Sequence, residues 1–298
     1  MSQLRKKRSF SSTLFDIGNA VFLSLVCLTI LYPFWQTLVL SFSDAKEASS
    51  LGVHLWPSHW VTDTYRFLFT YEDIMMPYAN TIFRTVAGTI LILIFTVLVA
   101  FPLSKKDLPY RNVFTVYFLI AMFFSGGLIP TYLLIKEIGL LDNRLALILP
   151  GAVSVFNIII MRNYFMTIDK GIEESAMIDG ANYYTVLTKI ILPLSKPVIA
   201  TIALWSAVGH WNAWFDAMIY IRDDSKTVMQ MVIRKMMNAI DMASSEAQIG
   251  EANRINQNLL LANVRAAAVI ISIGPIILLY PFVQKYFIKG ITIGSLKG

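Results

Sequence analysis

The most informative stretch of the chain is Glu173-Glu174-Ser175-Ala176-Met177-Ile178-Asp179-Gly180-Ala181, which continues through 182–189 to Ile190-Ile191-Leu192-Pro193. It predicts a short helix, a break at Asp179-Gly180 and a second helix, because Gly accepts a positive φ and Asp can cap the helix that follows. Its small residues permit close approach by another surface, and the two glutamates can pair with basic groups there. By residue type alone, an amphipathic helix resting on a membrane and a docking element for a partner are equally good interpretations.

The composition around this stretch is that of a membrane protein. Of the 298 residues, 56% are hydrophobic and 15% are charged, whereas charged residues make up about 25% of a soluble domain. The mean hydropathy is +0.61. The net charge of +6 comes from short basic clusters beside apolar runs, which is how membrane topology is encoded, so nucleic acid is excluded as a partner. The single cysteine, Cys27, lies in an apolar run and provides no disulfide framework.

Six apolar segments meet or approach the length needed to span a bilayer, which is about 20 residues of helix, and the fourth is the shortest. Each contains a run free of Lys, Arg, Asp and Glu. We therefore expect an all-α integral membrane protein with one domain, 1–298. The predicted spans are about 15–43, 80–104, 112–136, 145–165, 193–220 and 264–288, with a long inner loop at 166–192 and outer loops at 44–77 and 221–263.

Basic residues indicate the orientation, because they concentrate in cytoplasmic loops. They precede the first span and lie between spans two and three, between four and five, and after six, which predicts that both termini are cytoplasmic. The first outer loop contains Trp56 and Trp60 and is expected either to lie along the outer membrane surface or to contact an external partner. The second is rich in Met, which suits either a partner contact or a helix packed on the membrane.

The stretch from Glu174 to Pro193 resembles the coupling loop of bacterial ABC importer permeases. That pattern is Glu-Ala-Ala, three residues, Gly, nine residues, Ile, one residue and Leu-Pro, and the chain matches it at every spacing except that Ser175 replaces the first Ala. The resemblance implies a type I importer permease fold with a cytoplasmic coupling helix that docks on a separate ATPase. The residues to which it assigns ATPase coupling are Glu173, Glu174, Ser175, Ala176, Asp179, Gly180, Leu192 and Pro193.

The resemblance covers nearly the whole chain and points to the carbohydrate-importing branch of these permeases. Within that branch the chain is similar to the smaller maltose-type permease and resembles permeases for complex oligosaccharides more closely. The resemblance rests on Asn80 with Ala100-Phe101-Pro102-Leu103-Ser104, on Tyr132-Leu133-Leu134 with Ile138-Gly139-Leu140-Leu141-Asp142, on Trp211-Asn212 and on the tail from Gly290 to Gly298. In that family the tail reaches the ATPase dimer interface, which adds Lys297 and Gly298 to the coupling residues. The second outer loop in the family probes a docked binding protein.

The resemblance implies a bacterial cytoplasmic (inner) membrane protein that works with a second homologous permease, two ABC ATPase subunits and an extracytoplasmic solute-binding protein, and that translocates an oligosaccharide. The chain itself is expected to bind no cofactor, since it has no Gly-x-x-x-x-Gly-Lys-Ser/Thr loop, so ATP and Mg would be used by the ATPase. It also lacks metal-ligand spacing and a Gly-x-Ser-x-Gly elbow, so we expect no catalysis.

Three other functions are compatible with parts of the sequence. A secondary transporter or channel would need more ionisable groups at membrane depth, and an intramembrane enzyme would need paired catalytic residues there. An ABC importer for a peptide or amino acid would share the coupling loop and is the alternative function.

Polar side chains within the spans are the candidate substrate pathway, because burying them in a membrane is costly. Arg84 and Asp216 are alternatively explained by snorkelling to water at a span end, and Asn157 by a bond between helices. The segment from Trp205 to Asp216 combines aromatic faces with planar hydrogen-bonding groups, which together suit a sugar, although Trp is also common at membrane interfaces. The candidates are Arg84, Asn157, Trp205, His210, Trp211, Asn212 and Asp216.

Overall fold

The computed structural model describes residues 10–70, 74–246 and 262–278, and within these ranges the regular structure is helical, with no strand. The helices are α1 Phe10–Phe42, α2 Ala45–Ala48, α3 Asp63–Thr70, α4 Met75–Ser104, α5 Arg111–Phe123, α6 Leu128–Glu137, α7 Val155–Phe165, α8 Lys170–Ile178, α9 Tyr183–Leu194, α10 Lys196–Asn212, α11 Phe215–Tyr220, α12 Met229–Glu246 and α13 Ala262–Leu278. Short 3₁₀ segments occur at Arg144–Leu147, Leu149–Gly151 and Asp224–Lys226, and the middle of α9 is π-helical.

By length and composition, α1 and α4 can each cross a membrane, and up to five spans result if three bent helix pairs in the described ranges each count as one. The pairs are α5 with α6, bent by 107°, Arg144–Gly151 with α7, bent by 47°, and α9 with α10, bent by 79°. The sharpest bend falls within the predicted span 112–136. Its cause is Gly127, whose φ of +83° and ψ of −178° are accessible essentially to glycine alone. The predicted span 264–288 extends past the described residues.

The residues divide into two compact units, 1–70 with 237–271 and 71–236 with 272–298. In the first unit, the loop after α1 folds back on the end of that helix. The hydroxyl of Tyr65 donates to Ser41 Oγ at 2.7 Å, its ring stacks on Phe42 with centroids 4.8 Å apart, and Trp35 Nε1 donates to Leu55 O at 2.9 Å. The aromatic part of this loop is therefore ordered against α1.

The core of the second unit lies where α4, α7, α9 and α10 meet. Ala100, Met161 and Ile202 are fully buried there. Close approach of α4 to α10 depends on Gly88, because a Cβ at this position would lie 2.6 Å from Cε1 of His210. This packing places the coupling candidates near the C-terminal end of α4. It places several candidates of the substrate pathway beside the middle of α4.

Candidate functional site

The stretch 173–193 forms helix, turn and helix, as its pattern predicted. Gly180 adopts a φ of +86° in the turn, a conformation that favours glycine. One detail of the prediction is wrong: the side chain that caps α9 belongs to Asn182, which accepts from the Thr185 N–H at 2.8 Å. Asp179 instead ends α8, where its N–H donates to Ser175 O at 3.1 Å.

The exposed surface of this stretch differs from the set of residues that the sequence singled out. Glu174, Ser175, Asp179 and Gly180 are exposed. Ala176, in contrast, packs towards the core together with Ala181. The small side chains of Ala176 and Ala181 thus allow α8 to pack close to the core of its own unit.

Two large side chains on this surface were missed in the sequence analysis. Ile178 is 86% exposed and Tyr184 is 74% exposed. A periodicity signal was available for Ile178, because the inward positions 173, 176 and 177 follow the spacing of one helical face and 178 falls off it. These two side chains add apolar and aromatic area to the exposed part of the stretch.

Glu173 lies on the inner side of α8 and pairs with Lys105 in the loop after α4. It is therefore engaged within the chain, whereas the sequence analysis made it available to a partner. Nζ of Lys105 also lies 4.3 Å from the centroid of the Phe101 ring. The pair borders a cavity of about 270 Å³ between the 104–107 loop and α8, with Glu174 and Tyr183 on its wall.

The end of the stretch connects it to the core of the unit. Ile191 is fully buried, and Ile190 and Leu192 pack against the same core cluster. Pro193 is exposed. The other two coupling candidates, Lys297 and Gly298, lie outside the described residues.

A second, larger cavity of about 540 Å³ opens beside the middle of α4, the first turn of α7 and the C-terminal half of α10. It brings together three candidates of the substrate pathway, Asn157, Trp205 and His210. Ser154 and Ser206, which the sequence analysis did not select, line it as well. Oγ of Ser206 is buried and without a hydrogen-bond partner among the described residues, so it offers a bond to a ligand. Trp205 is 47% exposed and packs against Phe156, with ring centroids 6.1 Å apart.

The remaining pathway candidates do not line this cavity. Arg84 is only 4% exposed and pairs with Asp216, and it also donates from Nη1 to Ala213 O at 3.0 Å. Snorkelling is thus the wrong explanation for Arg84, which is buried because its charge is paired across two helices. Trp211 is buried and donates from Nε1 to Ser272 O at 2.8 Å, and Asn212 is the exposed last residue of α10.

No cluster of three or more metal-ligating side chains occurs in the described ranges 10–70, 74–246 and 262–278. Helices long enough to span a membrane, an exposed helix–turn–helix joined to the core, and a partly polar cavity beside helices are the features expected of a membrane transport protein.

Comparison with known proteins identifies the family of membrane proteins to which the chain belongs. No protein-family model matches the chain. It is 39% identical to Protein LplC of Bacillus subtilis (strain 168), over 95% of both chains. It is 37% identical to the polygalacturonan/rhamnogalacturonan transport system permease protein YtcP of the same organism, over 96% of this chain and 99% of YtcP.

The solved structures agree with these relatives. One chain in a crystal structure of a bacterial ABC transporter involved in the import of the acidic polysaccharide alginate superposes with a TM-score of 0.80 at 36% identity, over 95% of this chain and 99% of that one. The chain belongs to the family of sugar-type ABC importer permeases. It is accordingly a non-catalytic membrane subunit of an importer, and the peptide or amino-acid alternative is not favoured.

Proposed function

We propose that this permease moves an oligosaccharide released from a complex polysaccharide across the bacterial cytoplasmic membrane by alternating access, driven by two ATPase subunits. The substrate class is supported by the relatives named for polygalacturonan, rhamnogalacturonan and alginate. A second permease, which completes the pathway, and an extracytoplasmic binding protein are the other proposed partners. The chain would bind no cofactor, and ATP and Mg would act on the ATPases.

The observation that carries the mechanism is the position of the exposed 174–184 surface, which continues directly into α9 and α10. Because Ile191 and Leu192 lock α9 into the core, a force on this surface reaches α10 rather than being absorbed by a flexible loop. Trp205, Ser206 and His210 of α10 line the larger cavity. Nucleotide can shift a conformational equilibrium only through contacts that differ between the two states, and this surface would make such contacts.

In this proposal the candidate residues have several distinct roles. The ATPase would be contacted by the exposed residues of the stretch, namely Glu174, Ser175, Ile178, Asp179, Gly180 and Tyr184. Lys297 and Gly298 would extend that contact. The sugar would be contacted by the residues that line the larger cavity, namely Ser154, Asn157, Trp205, Ser206 and His210. From the inner side of the loop act Glu173, Ala176 and Leu192, while Pro193 belongs to its exposed side. The pair Arg84–Asp216 holds α4 to α11, and Trp211 holds α10 through its bond to Ser272 O. Asn212, exposed at the end of α10, stays a candidate for the substrate pathway.

The topology that fits this mechanism has six spans, a single domain 1–298 and both termini in the cytoplasm. The loop 166–192 then lies on the cytoplasmic side with the ATPases, and the segments 44–77 and 221–263 lie outside. The basic residues beside the apolar runs support this orientation.

The test is co-purification with candidate ATPases and a candidate binding protein, followed by ATP hydrolysis and uptake in liposomes with a panel of neutral and uronate oligosaccharides. We expect uptake that requires ATP and the binding protein, and Glu174→Lys should abolish the coupling. Glu137→Gln, at an exposed acidic residue on α6, is the control. Uptake that persists without ATP, or coupling untouched by Glu174→Lys, would refute the proposal.

A further inference from the structure

Two arginines share one backbone carbonyl at the C-terminal end of α4. Nε of Arg111, the first residue of α5, donates to Leu103 O at 2.9 Å, and Nε of Arg162, in the last turn of α7, donates to the same oxygen at 3.1 Å. The two guanidinium groups therefore lie side by side where the ends of α4, α5 and α7 meet. Leu103 is buried and both arginines are partly buried, so water does not fully surround the two positive charges.

These charges are not neutralised within the part of the chain that the structure describes. No ion pair there includes Arg111 or Arg162. Asp107, the acid in the loop between α4 and α5, accepts instead from the Tyr183 hydroxyl at 3.4 Å. Nη2 of Arg111 lies 3.3 Å from Met166 Sδ, and a thioether is only a weak acceptor. Two adjacent cations repel each other, and an anion bound to both would remove that repulsion.

The donors that remain beside this carbonyl are suited to a phosphate. A guanidinium group presents its N–H donors in a planar fork that matches two phosphate oxygens. Among the described residues Arg162 donates only through Nε, so its other N–H groups are available to a ligand. The start of α5 adds backbone donors at the same place. No described side chain caps this helix at Tyr110, and its first turn contains no acid, which leaves N–H groups that favour an anion.

The surface of α5 indicates the kind of molecule that carries the phosphate. Every residue of this helix is at least partly exposed. The large apolar and aromatic side chains that are more than half exposed after its first residue include Val113, Val116, Tyr117 and Ile120. A free phosphate ion would gain nothing from such a surface. A phospholipid, in contrast, can place its phosphate on the arginines and its acyl chains along α5, and basic pockets between membrane helices bind the head groups of anionic lipids.

We propose that Arg111, Arg162 and the start of α5 form a binding site for the phosphate of an anionic phospholipid whose acyl chains lie along α5. The placement of this site in the cytoplasmic leaflet rests on the proposed function, which puts the end of α4 on the side of the ATPases. Lys105, two residues after Leu103, forms the ion pair with Glu173 of α8. A bound lipid would therefore stabilise the end of α4 to which α8 is attached.

The test measures the unfolding temperature of the purified importer complex, in an uncharged detergent, against added phosphatidylglycerol. Phosphatidylcholine with the same acyl chains, which is zwitterionic, and inorganic phosphate are the comparison ligands. We expect phosphatidylglycerol to raise the unfolding temperature saturably, because a ligand of the folded state stabilises it. Arg162→Gln should raise the half-saturating concentration about tenfold, the loss typical of one hydrogen bond to a charged group. Lys106→Gln, which removes a positive charge from the exposed loop before α5, should leave it unchanged.

An unchanged half-saturating concentration in Arg162→Gln, or an equal shift in Lys106→Gln, would overturn the inference. Equal stabilisation by phosphatidylcholine would also overturn it, and so would inorganic phosphate that replaces the response to phosphatidylglycerol, since the ligand would then be a soluble anion. Arg162→Lys keeps the charge without the planar fork and should give an intermediate value. If Arg162→Gln does not assemble, a wild-type value in Arg162→Lys refutes the site. Because none of these measurements uses transport, their failure leaves the proposed function standing.

Discussion

Lys105 and Glu173 form an ion pair that joins the loop after α4 to α8. Their side chains are 16% and 15% exposed, so the pair is largely shielded from water and salt. The Phe101 ring beneath Lys105 restricts it further. As a result, α8 is tied to α4 by a side-chain pair, in addition to its chain connections to α7 and α9 and the packing of Ala176 against the core.

Removing the cation should loosen this attachment. Lys105→Gln leaves the Glu173 carboxylate without its charged partner, and a hydrogen bond to a charged group contributes about 2 kcal/mol. We expect a lower thermal unfolding temperature for the purified complex and more ATP hydrolysed per sugar transported. Lys106→Gln, at the exposed neighbouring position, is the control and should behave like the wild type.

The exchanged pair Lys105→Glu with Glu173→Lys separates the ion pair from other effects of either residue. It should recover part of the stability lost in each single variant, since coupled residues are not additive. Additive losses in the double variant would contradict a direct interaction.

Gly180 gives a prediction about backbone conformation alone. Its φ is +86°, and an added Cβ would meet nothing within 4 Å. Gly180→Ala should therefore cost about 1–2 kcal/mol through left-handed strain rather than through a clash. Gly180→Asn should cost less, because Asn tolerates this region. Gly171→Ala in α8, at an ordinary φ, should leave the unfolding temperature nearly unchanged, and an equal loss there would argue against strain.

The ion pair between Asp142 and Lys226, whose Oδ2 and Nζ lie 3.0 Å apart, should make a contribution to stability with a defined pH dependence. The hydrogen bond from Asp223 N–H, followed by those from Lys226 and Arg222 N–H, lowers the pKa of Asp142 to about 2. A carboxylate whose pKa is lowered on folding contributes stability that is present above its unfolded pKa, here 3.8, and is lost as the pH falls through its folded value of about 2. The raised pKa of Lys226, caused first by its hydrogen bond to Asp142, means that its contribution is present below 10.5 and lost in more alkaline solution. The difference in unfolding temperature between wild type and Asp142→Asn should hence stay constant from pH 5 to about 9. A steady decline across that range would contradict the assigned pKa values.

Local features of the fold could be predicted from the sequence, because they depend on neighbouring residues. The apolar runs mark α1 and α4, and the Asp-Gly dipeptide marks the turn between α8 and α9. The Gly126-Gly127 pair separates α5 from α6, but the sequence analysis predicted one span here because the pair lies inside a long apolar run. The break shows that two adjacent glycines can outweigh hydrophobicity in setting where a helix ends.

Long-range pairing could not be predicted in the same way. Lys105 and Glu173 are 68 residues apart, and Arg84 and Asp216 are 132 apart, so no local pattern links them. Glu173 and Glu174 differ by only one position, yet adjacent helical residues point about 100° apart, so one faces the core and the other solvent. Which of the two glutamates faces the core depends on how α8 packs. For the same reason Trp205 lines the larger cavity whereas Trp211 is buried.

The contact between Gly88 and His210 yields the sharpest packing prediction. A Cβ at Gly88 would lie 2.6 Å from the imidazole Cε1, so α4 and α10 must separate or His210 must move. Overpacking of this kind costs about 1–3 kcal/mol, and we expect Gly88→Ala to lower the unfolding temperature and reduce uptake. Gly209→Ala on α10 adds the same methyl group where nothing lies within 4 Å, so the unfolding temperature should be unchanged or slightly raised, because Ala favours a helix over Gly. In the double variant Gly88→Ala with His210→Ala, the space vacated by the imidazole should accept the methyl group, so stability should exceed the sum of the single effects. If the two losses simply add, the approach of these helices does not depend on the absence of a side chain at position 88.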